Sequence, residues 1–376
     1  MQTNDNLAGL FYEAARNRPN SVALVTETDE ISYGDLRSIV EALRKAIRPL
    51  VSSRIGILAH RSTVAYAGVQ AALAEGRSYV PMNPGFPAVR NAYIARKAEL
   101  STIVVGEECA AALESILAEL SNPVTLVVRG DCPGIAEIAS RSENVKLVVA
   151  DLHAPGEPWP LLSKPSDGSA YVLFTSGSTG EPKGVRVLQE NVLSYVRSFL
   201  SLYPISGQDR ISQTFDLTFD LSVHDQFVTW ASGATLVVYP ESALRSPLAW
   251  TRDRGVTVWF SVPSLAAFLE GARQVEVNAL PDLRLSLFCG EKLTLKTSQL
   301  WRTIAPRSRQ ANLYGPTEAT IAITHFEIPE DLGDDRCHQG GVPIGIAFPG
   351  QSCEVRDETG NILEAGATGE LWLGGD

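Results

Sequence analysis

Residues 171–187 read Tyr-Val-Leu-Phe-Thr-Ser-Gly-Ser-Thr-Gly-Glu-Pro-Lys-Gly-Val-Arg-Val. An apolar run ends in a loop of hydroxyl and glycine residues, and a lysine follows. Gly177 and Gly180 let a backbone approach a ligand closely. Thr175, Ser176, Ser178 and Thr179 supply hydroxyl donors, and Lys183 supplies a compact positive charge. The composition suits phosphate oxygens. A Walker loop is excluded, because the position that should hold Gly before the lysine is Pro182, and Gly184 stands where that motif needs Ser or Thr. A Ser/Gly-rich surface turn is the ordinary alternative.

Around this loop, short Val- and Ile-rich runs recur: 21–25, 55–59, 102–105, 124–128, 146–150, 235–239, 256–262 and 283–289. Such runs read as strands buried on both faces. Stretches 38–47 and 110–120 carry apolar residues at helical spacing. Alternating strand and helix predicts an α/β architecture with largely parallel sheets. From about 323 onward the chain is richer in Gly, Pro and Asp, which predicts a small all-β part with a turn at Asp357-Glu-Thr-Gly360. The proline-rich connector 154–168 marks a seam before the loop. The expected division is a first α/β unit over 1–160, a second over 161–322 and a β unit over 323–376.

The chain has 376 residues, 44% hydrophobic and 20% charged, with a net charge of −11. That is ordinary for a globular protein with a large core. No basic cluster suggests nucleic acid, and no run of about 18 apolar residues suggests a membrane span. Five scattered cysteines contain no CxxC pair, so neither a disulfide framework nor a zinc site is indicated, and a cytoplasmic location fits. Cys337-His338 reads as a chance neighbour pair in a loop.

The loop string Phe174-Thr-Ser-Gly-Ser-Thr-Gly-Glu-Pro-Lys-Gly184 resembles the signature of the adenylate-forming (ANL) superfamily, which includes acyl-CoA synthetases, luciferases and the adenylation domains of nonribosomal peptide synthetases. Further elements resemble that family in the same order. They are Ile31-Ser-Tyr-Gly-Asp-Leu36, Gly76-Arg-Ser-Tyr-Val-Pro-Met-Asn-Pro-Gly-Phe-Pro87, Asn312-Leu-Tyr-Gly-Pro-Thr-Glu-Ala-Thr320 and Gly369-Glu-Leu-Trp-Leu-Gly-Gly375. The first two and the last read as structural. The resemblance implies two packed, largely parallel sheets in αβαβα layers with a small C-terminal β-barrel-like unit. It also implies ATP and Mg²⁺ as ligands. Residues Thr175, Ser176, Gly177, Ser178, Thr179, Gly180 and Lys183 would hold phosphate oxygens. Tyr314 would stack on adenine, with Asn312, Gly290, Glu291 and Gly315 nearby. Thr317 would donate to the α-phosphate and Glu318 would hold the metal. Thr175, Lys183, Thr317 and Glu318 are thereby the catalytic candidates.

Phe219-Asp-Leu-Ser-Val-His-Asp225 resembles the stretch of amino-acid-activating adenylation domains in which the Asp faces the substrate's α-ammonium group. Asp220 holds that place, although Phe215-Asp216 could be confused with it. A pocket carboxylate is costly unless a cation pairs with it, so it selects for an amine. By motif spacing the other pocket positions are Leu221, His224, Ser261, Leu287, Cys289, Leu313, Ile321 and Ala322. His224 stands where the family commonly has Trp, and could equally be a satisfied core histidine. The lining predicts a small or medium neutral amino acid, such as cysteine, serine, alanine or a cyclic imino acid. The resemblance implies aminoacyl-AMP formation with pyrophosphate release, then loading onto a carrier protein's phosphopantetheine thiol, with a small MbtH-like accessory protein as a further partner. It covers a large N-terminal subdomain only: the Tyr-x-Thr-Gly-Asp element, hinge and lysine-bearing lid of the family are not in the sequence, which predicts weak adenylation. Met1 close to the first family-like element suggests a free-standing enzyme or a first module. The rival readings are ligation of an amine-free carboxylic acid, a ligand-binding module without turnover and, more distantly, a P-loop phosphotransferase.

Overall fold

The computed structural model describes residues 6–152, 167–176 and 181–375. The chain forms two compact units. One comprises the described residues up to Leu193 together with Phe215–Val238, and the other comprises Ser194–Thr214 and Tyr239 onward. Segment 167–193 therefore packs with the first unit, and most of the connector 154–168 lies outside the described residues.

The first unit is built on a seven-stranded sheet. Its order across the sheet is Val145–Ala150, Val124–Arg129, Thr102–Val105, Arg54–Leu58, Ser78–Met82, Ser169–Thr175 and Lys183–Leu188. All neighbours run parallel except the last pair, an antiparallel hairpin. The central strands are buried along their whole length, as in Ser78–Met82 and Thr102–Val105. Strands covered on both faces carry continuous apolar runs, which is why they are legible in the sequence. A smaller group sets Val22–Val25 parallel to Thr235–Val238 and antiparallel to Glu30–Ser32.

Two helices of this unit lack a wet face. Every residue of Thr63–Ala74 is buried, and so is every residue from Leu221 to Trp230 in helix Leu221–Ser232. A helix buried all round loses the amphipathic pattern by which helices are recognised. Gly68 permits the close packing of the first: a Cβ there would lie 3.2 Å from both Ile57 Cδ1 and Val104 Cγ1.

A buried ion network ties three helices together. Arg44 donates to Glu41 at 3.0 Å and to Glu75 at 2.8 Å, and its side chain is 1% exposed. The Tyr12 hydroxyl, from helix Ala8–Asn17, also bonds to Glu41. Burial pushes the Tyr12 phenol far above its ordinary pKa, with the Glu41 charge adding to the shift, so it stays a donor.

The second unit carries a mixed sheet in the order Ile346–Ala347, Thr324–Ile328, Arg309–Tyr314, Leu285–Phe288, Val258–Ser261 and Arg210–Gln213. The last four are parallel, and the first two add antiparallel strands at one edge. Thr324–Ile328, expected within the C-terminal β part, thus extends this sheet. Toward the C-terminus, Gln351–Arg356 and Glu370–Gly375 pair as a separate two-stranded antiparallel sheet. The α/β class, the two largely parallel sheets and the flanking helices match the sequence expectation. Among the described residues no helix is long and apolar enough to cross a membrane.

Removing one partner of a buried ion pair strands the other charge. R44A takes the guanidinium from Glu41, while Glu75 keeps Arg48 at 3.1 Å, and should cost about 3–5 kcal/mol in unfolding free energy, read as a lower urea midpoint. An unchanged midpoint would show that the network contributes nothing.

Candidate active site

In the first unit the hairpin of Ser169–Thr175 and Lys183–Leu188 sets its loop by backbone register. Thr175 pairs with Lys183, and Phe174 with Gly184. The hydroxyl-rich strand end and the lysine therefore sit opposite each other at the mouth of the loop. Gly184 has a packing reason: a Cβ there would lie 3.2 Å from Val172 Cγ1 and 3.3 Å from the Phe174 ring. Tyr93 braces the returning arm, donating to the Pro182 carbonyl at 3.3 Å and standing edge-on to Phe174. Thr175 is half-buried, while Ser176 and Lys183 are exposed. Gly177, Ser178, Thr179 and Gly180 lie outside the described residues.

Asp220 is 8% exposed and stands at the N-terminal end of helix Leu221–Ser232. The positive end of a helix dipole favours a carboxylate there. The upstream Asp216 has other work. It lies 3.4 Å from His60 Nδ1 and accepts from the backbone N–H and the hydroxyl of Thr218. Burial opposes its charge, but His60 and Thr218 outweigh burial and hold its carboxyl below the usual range. Leu221 is buried, and His224 is fully so. Burial pushes His224 down to about 3, so it is a neutral imidazole at ordinary pH.

The neighbouring Asp225 is not singled out by the sequence. It is fully buried, both carboxylate oxygens have no hydrogen-bond partner among the described residues, and burial pushes its pKa well above the carboxylate range. Its only sequence signal is its place at the end of the motif that holds Asp220.

In the second unit the parallel register sets Ser261 level with Phe288, and Phe288 level with Asn312. Three adjacent strands therefore end together, and Ser261, Leu287, Cys289, Gly290, Asn312, Leu313 and Tyr314 gather at their carboxyl ends. Ligands of open parallel sheets bind at that edge. Ser261, Leu287, Cys289, Leu313, Ile321 and Ala322 are all buried. Ser261 is not a spare polar handle: its hydroxyl accepts from Trp259 Nε1 at 2.9 Å and donates to the Val262 carbonyl at 3.0 Å. Asn312 is likewise engaged, donating to the Pro343 carbonyl at 2.9 Å. Gly290 has φ +91°, and the Glu291 carboxylate accepts the Ser264 backbone N–H at 3.0 Å, pinning that turn.

After Tyr314, which is 38% exposed, the chain makes a tight turn. Thr317–Ala319 is one turn of 3₁₀ helix that leaves Glu318 exposed and Thr317 half-buried. The chain then returns through Thr320 (φ +61°) and Ile321 (φ +70°), where β-branched residues are strained. Strain held in this way clusters at functional sites. Gly315 allows the return: a Cβ would lie 2.7 Å from Ala322 Cα and 3.0 Å from Ile323 N.

A family model described as AMP-binding enzyme matches residues 11–376. The chain belongs to that family. This AMP-binding chain is 28% identical over 374 residues to the D-alanine–D-alanyl carrier protein ligase of Bacillus licheniformis, covering 96% of itself and 68% of the relative. It is 32% identical over 370 residues to the L-proline–[L-prolyl-carrier protein] ligase of Pseudomonas fluorescens, covering 95% of itself and 69% of the relative. It spans 24% of the phenyloxazoline synthase MbtB of Mycobacterium tuberculosis. Among solved structures it superposes on the Vibrio cholerae adenylation domain AlmE, in complex with glycyl-adenosine-5′-phosphate, with a TM-score of 0.89 at 28% identity. That match covers 99% of this chain and 70% of AlmE. The AMPPNP-bound form of the nonribosomal peptide synthetase FmoA3 gives a TM-score of 0.82 at 25% identity, covering 98% of this chain and 37% of that one.

Any side chain at position 315 meets backbone, which cannot swing away. G315A should lower stability by about 1–3 kcal/mol and shift the Tyr314–Glu318 turn. Thermal unfolding and the affinity for ATP should both fall; a variant unchanged in both would show that the close approach is dispensable.

Proposed function

We propose that this chain activates a small or medium neutral amino acid as its aminoacyl-AMP, releasing pyrophosphate, for transfer to a carrier protein's phosphopantetheine thiol. The observation that carries the reading is Asp220, a carboxylate 8% exposed at a helix N-terminus. A carboxylate held there is best offset by a cation, and the α-ammonium of an amino acid is one. Membership in the AMP-binding family supports the nucleotide half of the reading, and the amino-acid carrier ligases among the relatives support the other half.

Each unit receives its roles separately. In the first, Thr175, Ser176 and Lys183 hold phosphate oxygens together with the glycine and hydroxyl residues 177–180, and Asp220 receives the amine beside Leu221 and the neutral His224. In the second, Tyr314 offers a flat face to adenine next to Gly290, Glu291, Asn312 and Gly315, and Thr317 donates to the α-phosphate. Leu287, Cys289, Leu313, Ile321 and Ala322 supply apolar lining, with Ser261 behind them as support. Glu318 is an exposed carboxylate on a rigid turn, a hard oxygen donor that fits Mg²⁺ when triphosphate oxygens complete the shell. Bound there, the ion neutralises charge on the phosphates. The substrate carboxylate displaces pyrophosphate at the α-phosphorus. Such a transfer needs positioning and charge stabilisation more than a protein nucleophile.

The test is ATP–pyrophosphate exchange across a panel of amino acids and their des-amino counterparts. Exchange should depend on one small neutral amino acid and fall at least about 100-fold in D220A, the scale expected for losing a buried charge pair. Exchange driven equally by an amine-free acid, and indifferent to D220A, would move the chain to the acyl- or aryl-ligase reading. ATP binding without exchange would favour a binding module.

A further inference from the structure

Strand Arg309–Tyr314 carries Asn312 and Tyr314 toward one edge of the second unit's sheet, and its other end opens on a separate cavity of about 420 Å³. That volume lies within the range of small-ligand sites. Three guanidiniums line it in a chain of net charge −11. Arg302 comes from the last turn of helix Leu295–Ile304, Arg307 from the loop after it, and Arg309 from the start of the strand. Arg309 is neutralised by a bidentate pair with Glu327, at 2.9 and 2.8 Å. Arg302 donates to the carbonyls of Ile328 and Pro329 at 3.4 and 3.3 Å, which ties the helix end to the neighbouring strand. Arg307 is exposed and has no ion-pair partner among the described residues. Glu330 is the cavity's second carboxylate.

Gln310 also lines this cavity, and it is 1% exposed. Its Oε1 accepts the Ser298 hydroxyl at 2.8 Å, while its Nε2 has no hydrogen-bond partner among the described residues. Ser298 and Arg302 are four residues apart on one helix, so the Gln310 amide faces the helix side that bears Arg302. A buried amide donor left without an acceptor costs free energy and calls for a reason. An oxyanion supplies one, because it only accepts and also satisfies the guanidiniums. The donors come from a helix end, a loop and a strand. A tetrahedral phosphate can meet them from several sides, whereas a planar carboxylate suits a single fork. We propose that this cavity binds the phosphate group of a small ligand, held by Arg307 and Gln310 Nε2 with Arg302 beside them. Glu330 opposes the anion, which fixes the sign of its own substitution. The site lies at the opposite strand end from Asn312 and Tyr314 and does not depend on the amino-acid reading.

The test is site-resolved, so that anion held by the 175–184 loop cannot imitate the result. The full chain is treated with phenylglyoxal at constant ionic strength, and the modification rate of each arginine is read by mass spectrometry of its peptides. Inorganic phosphate and glycerol 3-phosphate are the two probes, with potassium chloride as the baseline. Phosphate should protect Arg307 saturably and leave the exposed Arg273 of the same unit unchanged. A lower half-protecting concentration for glycerol 3-phosphate would identify a phosphate ester as the ligand, and a lower one for phosphate the free ion. Q310L should raise that concentration about 10-fold, the scale of a hydrogen bond to a charged group. E330Q, a change at an exposed position that leaves folding intact, should lower it about threefold by removing a like charge. Arg307 modified equally fast with and without phosphate would overturn the proposal, and so would protection shared equally by Arg273. A half-protecting concentration unmoved by E330Q would place the anion outside the cavity and overturn it as well.

Discussion

Parallel strand pairing is the constraint on which the candidate site depends. Adjacent parallel strands in register must end at the same level, so the residues beyond them are delivered to one edge. In the second unit the alignment of Ser261 with Phe288 and of Phe288 with Asn312 places three loop entries side by side. In the first unit the same rule puts Tyr79 beside Tyr171, and the antiparallel strand at the edge of that sheet then sets Lys183 opposite Thr175. A one-residue slip in any of these pairings would turn the corresponding side chains to the other face of the sheet.

Glycines and strained residues then shape what the strands deliver. Gly315 and Gly184 are not generic loop residues. A Cβ at Gly315 would collide with backbone, and one at Gly184 would press closely on Val172 and the Phe174 ring. The positive φ angles of Thr320 and Ile321 arise from the same tight return, since the chain must double back against Gly315. The buried ion network of Arg44, Glu41 and Glu75 serves a different end, locking helices of the first unit at a distance in sequence from the loops.

Much of this is legible in the sequence. The central strands announce themselves as unbroken apolar runs because both faces are covered, and the strand that ends at Thr175 is marked by the glycine- and hydroxyl-rich stretch after it, whereas its antiparallel return over Lys183–Leu188 is not announced. Helix Thr63–Ala74 is not legible, because full burial erases the polar face that marks a helix. Strand Thr324–Ile328 reads as part of the C-terminal β region because its antiparallel partner, Arg309–Tyr314, lies across the Gly-Pro turn. The pocket positions can be named from motif spacing, but not the state of their polar groups. Sequence cannot show that Trp259 and Val262 occupy the Ser261 hydroxyl, that burial keeps His224 neutral, or that Asp225 is wholly enclosed. Those properties arise from neighbours far away in the chain.

The most direct test of the account is the fate of the substrate's carboxylate oxygens. An amino acid labelled with heavy oxygen in its carboxylate, incubated with this chain, ATP and magnesium and then treated with hydroxylamine, should give AMP carrying one labelled oxygen and an amino-acid hydroxamate. That result requires a bond between the carboxylate and the α-phosphorus. Nucleotide turnover that yields unlabelled AMP, or ADP in its place, would contradict adenylate formation.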